Sequence, residues 1–408
     1  MLHAGDRSVE EIVAEHGTPL YLYDARVVDD RVRAFQEAFG DLDFLLAYSV
    51  KANGTLALLD RIARLGAGAD IVSGGELFRA LEAGVPPERI VFAGVGKRQE
   101  EMEAALEAGI HAFHVESEGE LHLLADVAGE RGEVAPISIR INPDVAAPSS
   151  HDYIRTGHAA AKFGVPIPRA LELYRWASER KALRIRGVDL HIGSQVNAVE
   201  PYRAALGRVL EVVDALEADG IDVEYVDLGG GFAVPEQKDA EKLEPADVAE
   251  VLLPELRTRG LRLVLEPGRA IVAEAGLLVA RVLYVKEQGG VTFVVTDAGM
   301  TDFLRPSHYN GYHRIEGVRE GRDRSIRTVD VVGPICESGD FLGRDRRIPL
   351  PEPGDLLAVR DAGAYGFVMS MQYNGRPRPA EVLVDGSHVH LIRTREDVRD
   401  LIRGESIP

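Results

Sequence analysis

A lysine, a run of three glycines and a glutamate are the residues of this chain whose types and spacing are best suited to chemistry. Lys51 follows an apolar run at residues 43–49, and the glycines at 229–231 and Glu266 each follow or end another such run. A lysine amine forms a Schiff base with an aldehyde, and the backbone N–H groups of a glycine turn bind phosphate. Together they indicate a phosphorylated aldehyde cofactor, pyridoxal phosphate.

Glu266 and His191 gain roles if that cofactor is present. A carboxylate beside the pyridine nitrogen keeps it protonated, so that the ring can accept the electrons of a carbanion. His191 ends the apolar run at residues 186–191 and could stack on the ring. The residues alone leave alternatives open, because such a lysine is often a surface residue with a packed stem, and such a histidine is as often a hydrogen-bonded core residue.

The only cysteine, Cys336, lies in the segment GPICESGD (333–340). A lone thiol excludes an intramolecular disulfide and a multi-cysteine metal site, and we expect no metal. Cys336 is then either a small buried hydrophobe or a working acid, base or nucleophile. The adjacent Glu337 and the flanking glycines and proline predict a turn, which favours chemistry over a place in a core strand.

The elements that must position these residues alternate between strands and helices over the first two-thirds of the chain. Eight runs read as strands, at residues 43–49, 69–73, 90–93, 112–115, 136–141, 186–191, 223–228 and 261–266. This count predicts a parallel (β/α)8 TIM-like barrel, with a doubly wound open sheet as the main competitor. In a barrel, active-site residues lie at the carboxyl ends of the strands, where Lys51, His191 and Glu266 fall.

After residue 276 the rhythm changes to short β-rich runs separated by turn signals, at 277–285, 291–296, 328–332, 356–359 and 381–384. This pattern predicts a β-sandwich or open barrel. Residues 19–23 are also strand-like, and we assign them to this second domain. The predicted division is therefore a barrel at 30–275 and a β domain formed by 1–29 and 276–408.

Composition limits the partners. The net charge of −19 argues against nucleic acid or an anionic membrane surface. No basic segment precedes an apolar run at the N-terminus, and no apolar stretch approaches the length of a membrane span. With one cysteine, the chain is expected to be a reduced, cytoplasmic protein.

Taken together, these segments resemble the diaminopimelate decarboxylases, within the alanine-racemase-like (fold type III) group of pyridoxal-phosphate enzymes. The resemblance extends over nearly the whole chain. The segments that carry it are YSVKAN (48–53), VSGGEL (72–77), KFG (162–164), HIGSQ (191–195), DLGGGF (227–232), EPGR (266–269), Arg305-Pro306 with Tyr309, CESGD (336–340) and GAYG (363–366).

The resemblance implies a role for each matching residue. Lys51 would hold the cofactor covalently, His191 would stack on its ring, and Glu266 would pair with its nitrogen. The residues expected to bind the phosphate are Ser194, Gly230, Gly231 and Gly268, with Tyr365 nearby. Those expected to contact substrate are Arg269, Arg305, Tyr309, Glu337 and Tyr365. Cys336 would return the proton to Cα, and Cys336 and Glu337 would come from the neighbouring subunit of a homodimer.

The implied reaction is the decarboxylation of meso-2,6-diaminopimelate at its D-centre to L-lysine and carbon dioxide. The first rival is a sister decarboxylase acting on ornithine, arginine or carboxynorspermidine, but Arg305 and Tyr309 suit a distal carboxylate better than a distal cation. The second is a racemase, which Glu266 disfavours. The third is a homologue that only binds partners, against which the presence of both Lys51 and Cys336 speaks.

Overall fold

The computed structural model describes residues 1–142, 162–235, 242–319 and 324–408. Its strands, in chain order, are β1 (His3–Ala4), β2 (Arg7–Ser8), β3 (Leu20–Asp24), β4 (Phe44–Ser49), β5 (Gly68–Ile71), β6 (Ile90–Phe92), β7 (Ala112–Val115), β8 (Ala135–Asn142), β9 (Val165–Pro166), β10 (Leu183–Leu190), β11 (Tyr225–Asp227), β12 (Arg262–Leu265), β13 (Gly276–Gln288), β14 (Val291–Thr296), β15 (Ile315–Gly317), β16 (Ile326–Val332), β17 (Phe341–Pro349), β18 (Leu356–Val359), β19 (Ala380–Asp385) and β20 (His388–Arg393).

The α-helices of the same residues are α1 (Val9–His16), α2 (Ala25–Phe39), α3 (Leu56–Arg64), α4 (Gly74–Glu82), α5 (Gln99–Ala108), α6 (Glu118–Arg131), α7 (Ile167–Ser178), α8 (Glu200–Ala218), α9 (Pro245–Arg259), α10 (Arg269–Val272) and α11 (Arg305–Tyr309). Among the described residues, none of these helices is long and apolar enough to cross a membrane. The chain divides into two compact units, a β unit made mainly of Met1–Val28 and Ile271–Pro408, and a barrel unit comprising Asp29–Val234 and Glu241–Ala270.

The barrel unit contains the predicted closed parallel barrel. Its hydrogen-bonded order is β4-β5-β6-β7-β8-β10-β11-β12, and the pairing of β12 with β4 closes the ring. The short β9 is added beside β8. Inward side chains such as Leu45, Val91 and Val264 fill the interior and are fully buried. The (β/α)8 prediction is therefore confirmed, and all eight strands direct their carboxyl ends to one face of the barrel.

Two of the loops at that face are fixed by helix caps. Ser73 precedes α4, and its hydroxyl accepts a hydrogen bond from the Glu76 N–H at 3.2 Å. The Glu76 carboxylate reaches back to the N–H of Val72 at 2.8 Å. Ser117 and Glu120 form the matching cap hydrogen bond at the start of α6. Because each cap satisfies backbone donors that would otherwise lack partners, these strand-to-helix turns have defined shapes.

The β unit is built on a mixed sheet with the order β17-β16-β14-β13-β3-β19-β20, to which β18 and β15 are added through β13. Most neighbours are antiparallel, but β14 and β16 are parallel, as are β3 and β19. One face covers a core that includes Leu22, Val279 and Val382, and helix α1 packs its buried face into the same core. The β-rich fold expected after the barrel is thus confirmed, and β3, near residue 20, pairs with β13 and β19 of its sheet.

Candidate active site

Lys51 lies in a single 3-10 turn, Val50–Ala52, directly after β4. Its Nζ donates to Oδ2 of Asp70 at 2.8 Å, and Asp70 is fully buried in the neighbouring β5. The Ser49 hydroxyl lies 2.7 Å from the same carboxylate oxygen and 2.8 Å from the Glu266 carbonyl. Burial raises the pKa of Asp70, as does the charge of Glu266, while Lys51 opposes the shift. Asp70 is therefore placed to hold or exchange a proton with the lysine amine.

The glycine turn after β11 packs so closely against neighbouring segments that it has no room for side chains. A Cβ on Gly230 would lie 2.2 Å from the Glu266 carbonyl oxygen, and one on Gly268 would lie 2.9 Å from the Cβ atoms of Ser49 and Ala52. Gly231 has a φ of 90°, a conformation that L side chains rarely adopt. The glycines therefore form a tight turn in which backbone segments approach closely, a cradle of the kind that binds phosphate.

Two polar side chains lie near this glycine cradle, defined as Gly229–Gly231 with Gly268. The guanidinium of Arg269 donates to the Ser194 hydroxyl at 3.4 Å. Arg269 also starts α10, so a cation and a hydroxyl stand close to the expected phosphate position. A dianion requires such donors and positive charge. The residues therefore fit the phosphate of pyridoxal phosphate.

His191 directly follows β10 and packs against the same turn. The Gly230 N–H donates to its Nδ1 at 3.2 Å, and a Cβ on Gly229 would lie 2.3 Å from that nitrogen. Burial lowers the pKa of His191 to about 3, with further lowering by the charges of Arg140 and Lys51. The imidazole is consequently neutral at physiological pH, which suits a ring that stacks on a cationic pyridine.

Glu266 stands beside a buried cluster of polar side chains that the sequence analysis did not identify. His114 Nδ1 lies 3.3 Å from Oε1 of Glu266 and 3.5 Å from Asp189, and its Nε2 lies 3.7 Å from Asp227. All four residues are buried, and the Tyr225 hydroxyl lies 3.3 Å from His114 Nε2. We call these four residues the His114 cluster.

The charges in the His114 cluster determine which carboxyl group is ionised. Burial by itself raises the pKa of Glu266, but the neighbouring His114 and the charge of Lys51 outweigh it and hold this pKa well below its usual range. Burial lowers the pKa of His114, but the charges of Asp189 and Glu266 raise it by more, so the pKa lies above its ordinary value. Burial and the charge of Glu266 raise the pKa of Asp227. These shifts favour an ionised Glu266 beside a protonated His114.

A signal for these missed residues was present in the strands. Asp70, His114, Asp189 and Asp227 each lie near the carboxyl end of a barrel strand. A polar residue there is expected to face the site in a barrel. These four residues lie before the end of their predicted strands, whereas Lys51, His191 and Glu266 end or follow theirs.

The remaining predicted residues lie in the β unit. Cys336 is exposed, in a turn after β16, and its N–H donates to the Asn374 side chain at 2.9 Å. The Asp340 carboxylate holds this turn, because it accepts the N–H of Ile335 at 2.6 Å and that of Met300 at 2.6 Å. The predicted turn is thus present. Glu337 follows Cys336 within it.

Arg305 and Tyr309 lie together on α11 of the β unit. The Arg305 guanidinium carbon is 5.8 Å from the Tyr309 ring centre, and its Nε donates to His313 Nε2 at 3.2 Å. His313 Nδ1 lies 2.9 Å from the Arg360 carbonyl, so the imidazole donates through Nδ1 and accepts through Nε2. Arg305 is buried and held in one orientation. Tyr365 has a φ of 54°, uncommon for a residue with a side chain.

Comparison with known proteins identifies a family with this combination of residues. Residues 25–273 match the family model described as "Pyridoxal-dependent decarboxylase, pyridoxal binding domain". The chain is 46% identical over 390 residues to the diaminopimelate decarboxylase of Aquifex aeolicus, covering 96% of this chain and 92% of that one. It is 47% identical to that of Pseudomonas aeruginosa, covering 100% and 97%.

Solved structures agree. The crystal structure of diaminopimelate decarboxylase from Helicobacter pylori complexed with L-lysine superposes with a TM-score of 0.92 at 42% identity, covering 97% of this chain and 98% of that chain. A lysine/ornithine decarboxylase from Vibrio vulnificus complexed with putrescine superposes with a TM-score of 0.80 at 23% identity, covering 93% and 97%, and shares the fold.

We predict that Lys51 is the residue modified when the protein is loaded with pyridoxal phosphate and reduced with borohydride. Mass spectrometry of the digested protein should find the label on the Lys51 peptide and none on Lys51→Ala, whose activity should fall to background. Lys181→Ala, which alters an exposed lysine on the same unit, is the control and should label normally. A label on another lysine of the wild-type chain would show that Lys51 is not the attachment site.

We predict that His114→Asn moves the acid limb of the pH profile of kcat/KM to higher pH by about one unit or more. A shift of one unit corresponds to a loss of about 1.4 kcal/mol of interaction with ionised Glu266. The variant removes the cation that holds the pKa of Glu266 down, so Glu266 becomes protonated at a higher pH and its anionic form is lost earlier as pH falls. Tyr225→Phe removes an uncharged neighbour of the same imidazole and should leave the limb in place. An unchanged limb in His114→Asn would show that His114 does not control the ionisation of Glu266.

Proposed function

This chain belongs to the diaminopimelate decarboxylases, a family of pyridoxal-dependent enzymes, and from this premise we propose that it converts meso-2,6-diaminopimelate to L-lysine and carbon dioxide. The observation that carries the proposal is the pairing, on adjacent barrel strands, of Lys51 after β4 with an anionic Glu266 after β12. This is the arrangement that a pyridoxal-dependent decarboxylase needs. A full-length identity of 46–47% with diaminopimelate decarboxylases supports the choice of substrate.

The residues proposed to hold the cofactor follow from the barrel geometry. Lys51 would bind its aldehyde carbon covalently, and the glycine cradle with Ser194 would bind its phosphate through backbone N–H groups and a hydroxyl. The neutral His191 would lie against its ring. When bound, pyridoxal phosphate supplies an electron sink for the bond that breaks during decarboxylation.

Side chains of the protein would then hold or transfer protons at the pyridine nitrogen, the lysine amine and the substrate carbon. Glu266 would hold a proton on the pyridine nitrogen, because an anion there favours the protonated ring. Asp70 would hold or return a proton at the Lys51 Nζ, 2.8 Å away. Cys336 would deliver the final proton to the substrate carbon, a role that its exposed position in a fixed turn supports.

Substrate choice is assigned to α11. Arg305 is buried and already held through its Nε by His313, which orients the guanidinium. A buried guanidinium is stabilised when an anion pairs with it. A second carboxylate supplies that anion, whereas ornithine presents a second ammonium group. We therefore assign Arg305, with Tyr309 beside it, to the distal carboxylate, and Arg269 and Tyr365 to further substrate contacts.

We further propose a homodimer in which Cys336 and Glu337 complete the partner's active site, as the resemblance to this enzyme group implies. A two-fold symmetric dimer would then have two equivalent composite sites. A cytoplasmic location stays a prediction that rests on a sequence with a single cysteine.

We predict that the purified, cofactor-loaded protein releases carbon dioxide and L-lysine from meso-2,6-diaminopimelate, with a far higher kcat/KM than for ornithine. Arg305→Leu should lower the value for diaminopimelate about 100-fold, the equivalent of about 3 kcal/mol for a buried charged hydrogen bond, while ornithine turnover does not fall in parallel. Normal borohydride labelling of Lys51 in the variant checks that the barrel is intact. Equal kcat/KM for both substrates in the wild type would instead favour the sister decarboxylase.

We predict that inactive Lys51→Ala and Cys336→Ala proteins complement each other. After equal amounts are mixed and reassociated, half of the dimers should be hybrids, each with one intact site of two, so activity should recover to roughly a quarter of the wild type. Separate affinity tags on the two variants measure hybrid formation. Confirmed hybrids without activity would mean that the two residues act within one chain.

A further inference from the structure

The β unit contains a cavity of about 780 Å³ that involves none of the candidate active-site residues. Helix α1, β15, β17 and β18 contribute to its walls. Among the described residues, six arginines and three acidic residues line it. The arginines are Arg281, Arg314, Arg319, Arg324, Arg346 and Arg347, and the acidic residues are Glu10, Glu316 and Asp355. We call it the arginine cavity.

The arginines of this cavity contrast with the chain as a whole, whose net charge is −19. Arg319 pairs with Glu10, Arg324 pairs with Asp355, and Arg314 lies 3.6 Å from Glu316. In the described part of the chain, these pairs occupy all three acidic residues of the wall. Counted over the described residues, the wall therefore has three more arginines than acidic residues after these ion pairs are formed.

The other three arginines make no ion pair within the described residues. Arg281 donates to the Gly354 carbonyl at 3.1 Å rather than to a carboxylate. Arg346 lies over the Tyr312 ring, with its guanidinium carbon 3.9 Å from the ring centre, and its Nε is buried without a hydrogen-bond partner. Burial lowers the pKa of Arg346, which reflects the cost of a charge withdrawn from water. Arg347, its neighbour on β17, is exposed.

A cavity with several unpaired guanidinium groups is complementary to an anion with more than one charge. Guanidinium groups bind carboxylate and phosphate oxygens through paired hydrogen bonds. The volume is in the range of sites for small organic molecules, and apolar side chains such as Val13, Leu356 and Leu357 also line it. We propose that the arginine cavity binds a small organic anion that carries two or more negative charges on carboxylate or phosphate groups.

Several residues that line the cavity are close along the chain to the candidate active-site residues of the β unit. Tyr312 follows closely after α11, which carries Arg305 and Tyr309. Arg346 and Arg347 lie on β17, the strand that follows the Cys336 turn. An anion bound here would contact the residues just after α11 and the strand just after the Cys336 turn. It is therefore placed to change how rigidly α11 and this turn are held.

The test is isothermal titration calorimetry of the cofactor-loaded protein with citrate and with phenyl phosphate, at fixed ionic strength. One of these probes should bind with one site per chain, and Arg347→Gln should weaken it about tenfold, since a charged hydrogen bond contributes of that order. Arg347 is exposed, so the change should leave the fold intact. Arg327→Gln, an exposed arginine on β16 outside the cavity, is the matched control and should bind like the wild type.

Preference for citrate would assign carboxylates, and preference for phenyl phosphate would assign phosphate. Binding should persist in Arg305→Leu, because the proposed site is separate from the substrate position. The proposal is overturned if neither probe binds, if Arg347→Gln and Arg327→Gln weaken binding equally, or if Arg305→Leu alone abolishes it. None of these outcomes depends on catalytic turnover.

Discussion

The pairing of Glu266 with His114 is the interaction on which the proposed chemistry of the barrel depends. Eight parallel strands bring their carboxyl ends to one face, and several of them end in carboxylates. An isolated buried carboxylate would take up a proton rather than remain charged. His114 Nδ1 lies 3.3 Å from Glu266 Oε1, so the imidazole is close to the carboxylate that the proposed chemistry needs in its ionised form.

The neighbouring acids follow from the same constraint. With Glu266 ionised, Asp70 and Asp227 have raised pKa values, in each case through burial first and the Glu266 charge second. The surroundings of these carboxyl groups in the barrel thus give them different pKa values, lowered for Glu266 and raised for the two aspartates. The Lys51 amine donates a hydrogen bond to Asp70, so this carboxyl group can exchange a proton with the amine.

Much of this could be predicted from the sequence, because the barrel strands are apolar runs with polar ends and the segments around Lys51, the glycine turn and Glu266 are distinctive. The capped turns at Ser73 and Ser117 also follow from local sequence. What could not be predicted depends on distance across the barrel, as between His114 on β7 and Glu266 after β12. Strand β17 was missed because Arg344, Arg346 and Arg347 break the apolar pattern of a strand. The excess charge in the arginine cavity likewise becomes visible only when separate segments are brought together.

The glycine cradle has a consequence for how this protein can evolve. Its close packing is possible because Gly230 and Gly268 have no side chain, and the atoms that a Cβ would strike are mostly backbone or the first atoms of neighbouring side chains. Such atoms cannot rotate away, so a compensating change at one neighbour does not make room. Variation in a library or a lineage should therefore be nearly absent at these glycines, while the exposed faces of the surrounding helices accumulate it. Sequence differences between family members would then lie mainly in those helices, and the glycines of the cradle would help little in tracing how the members are related.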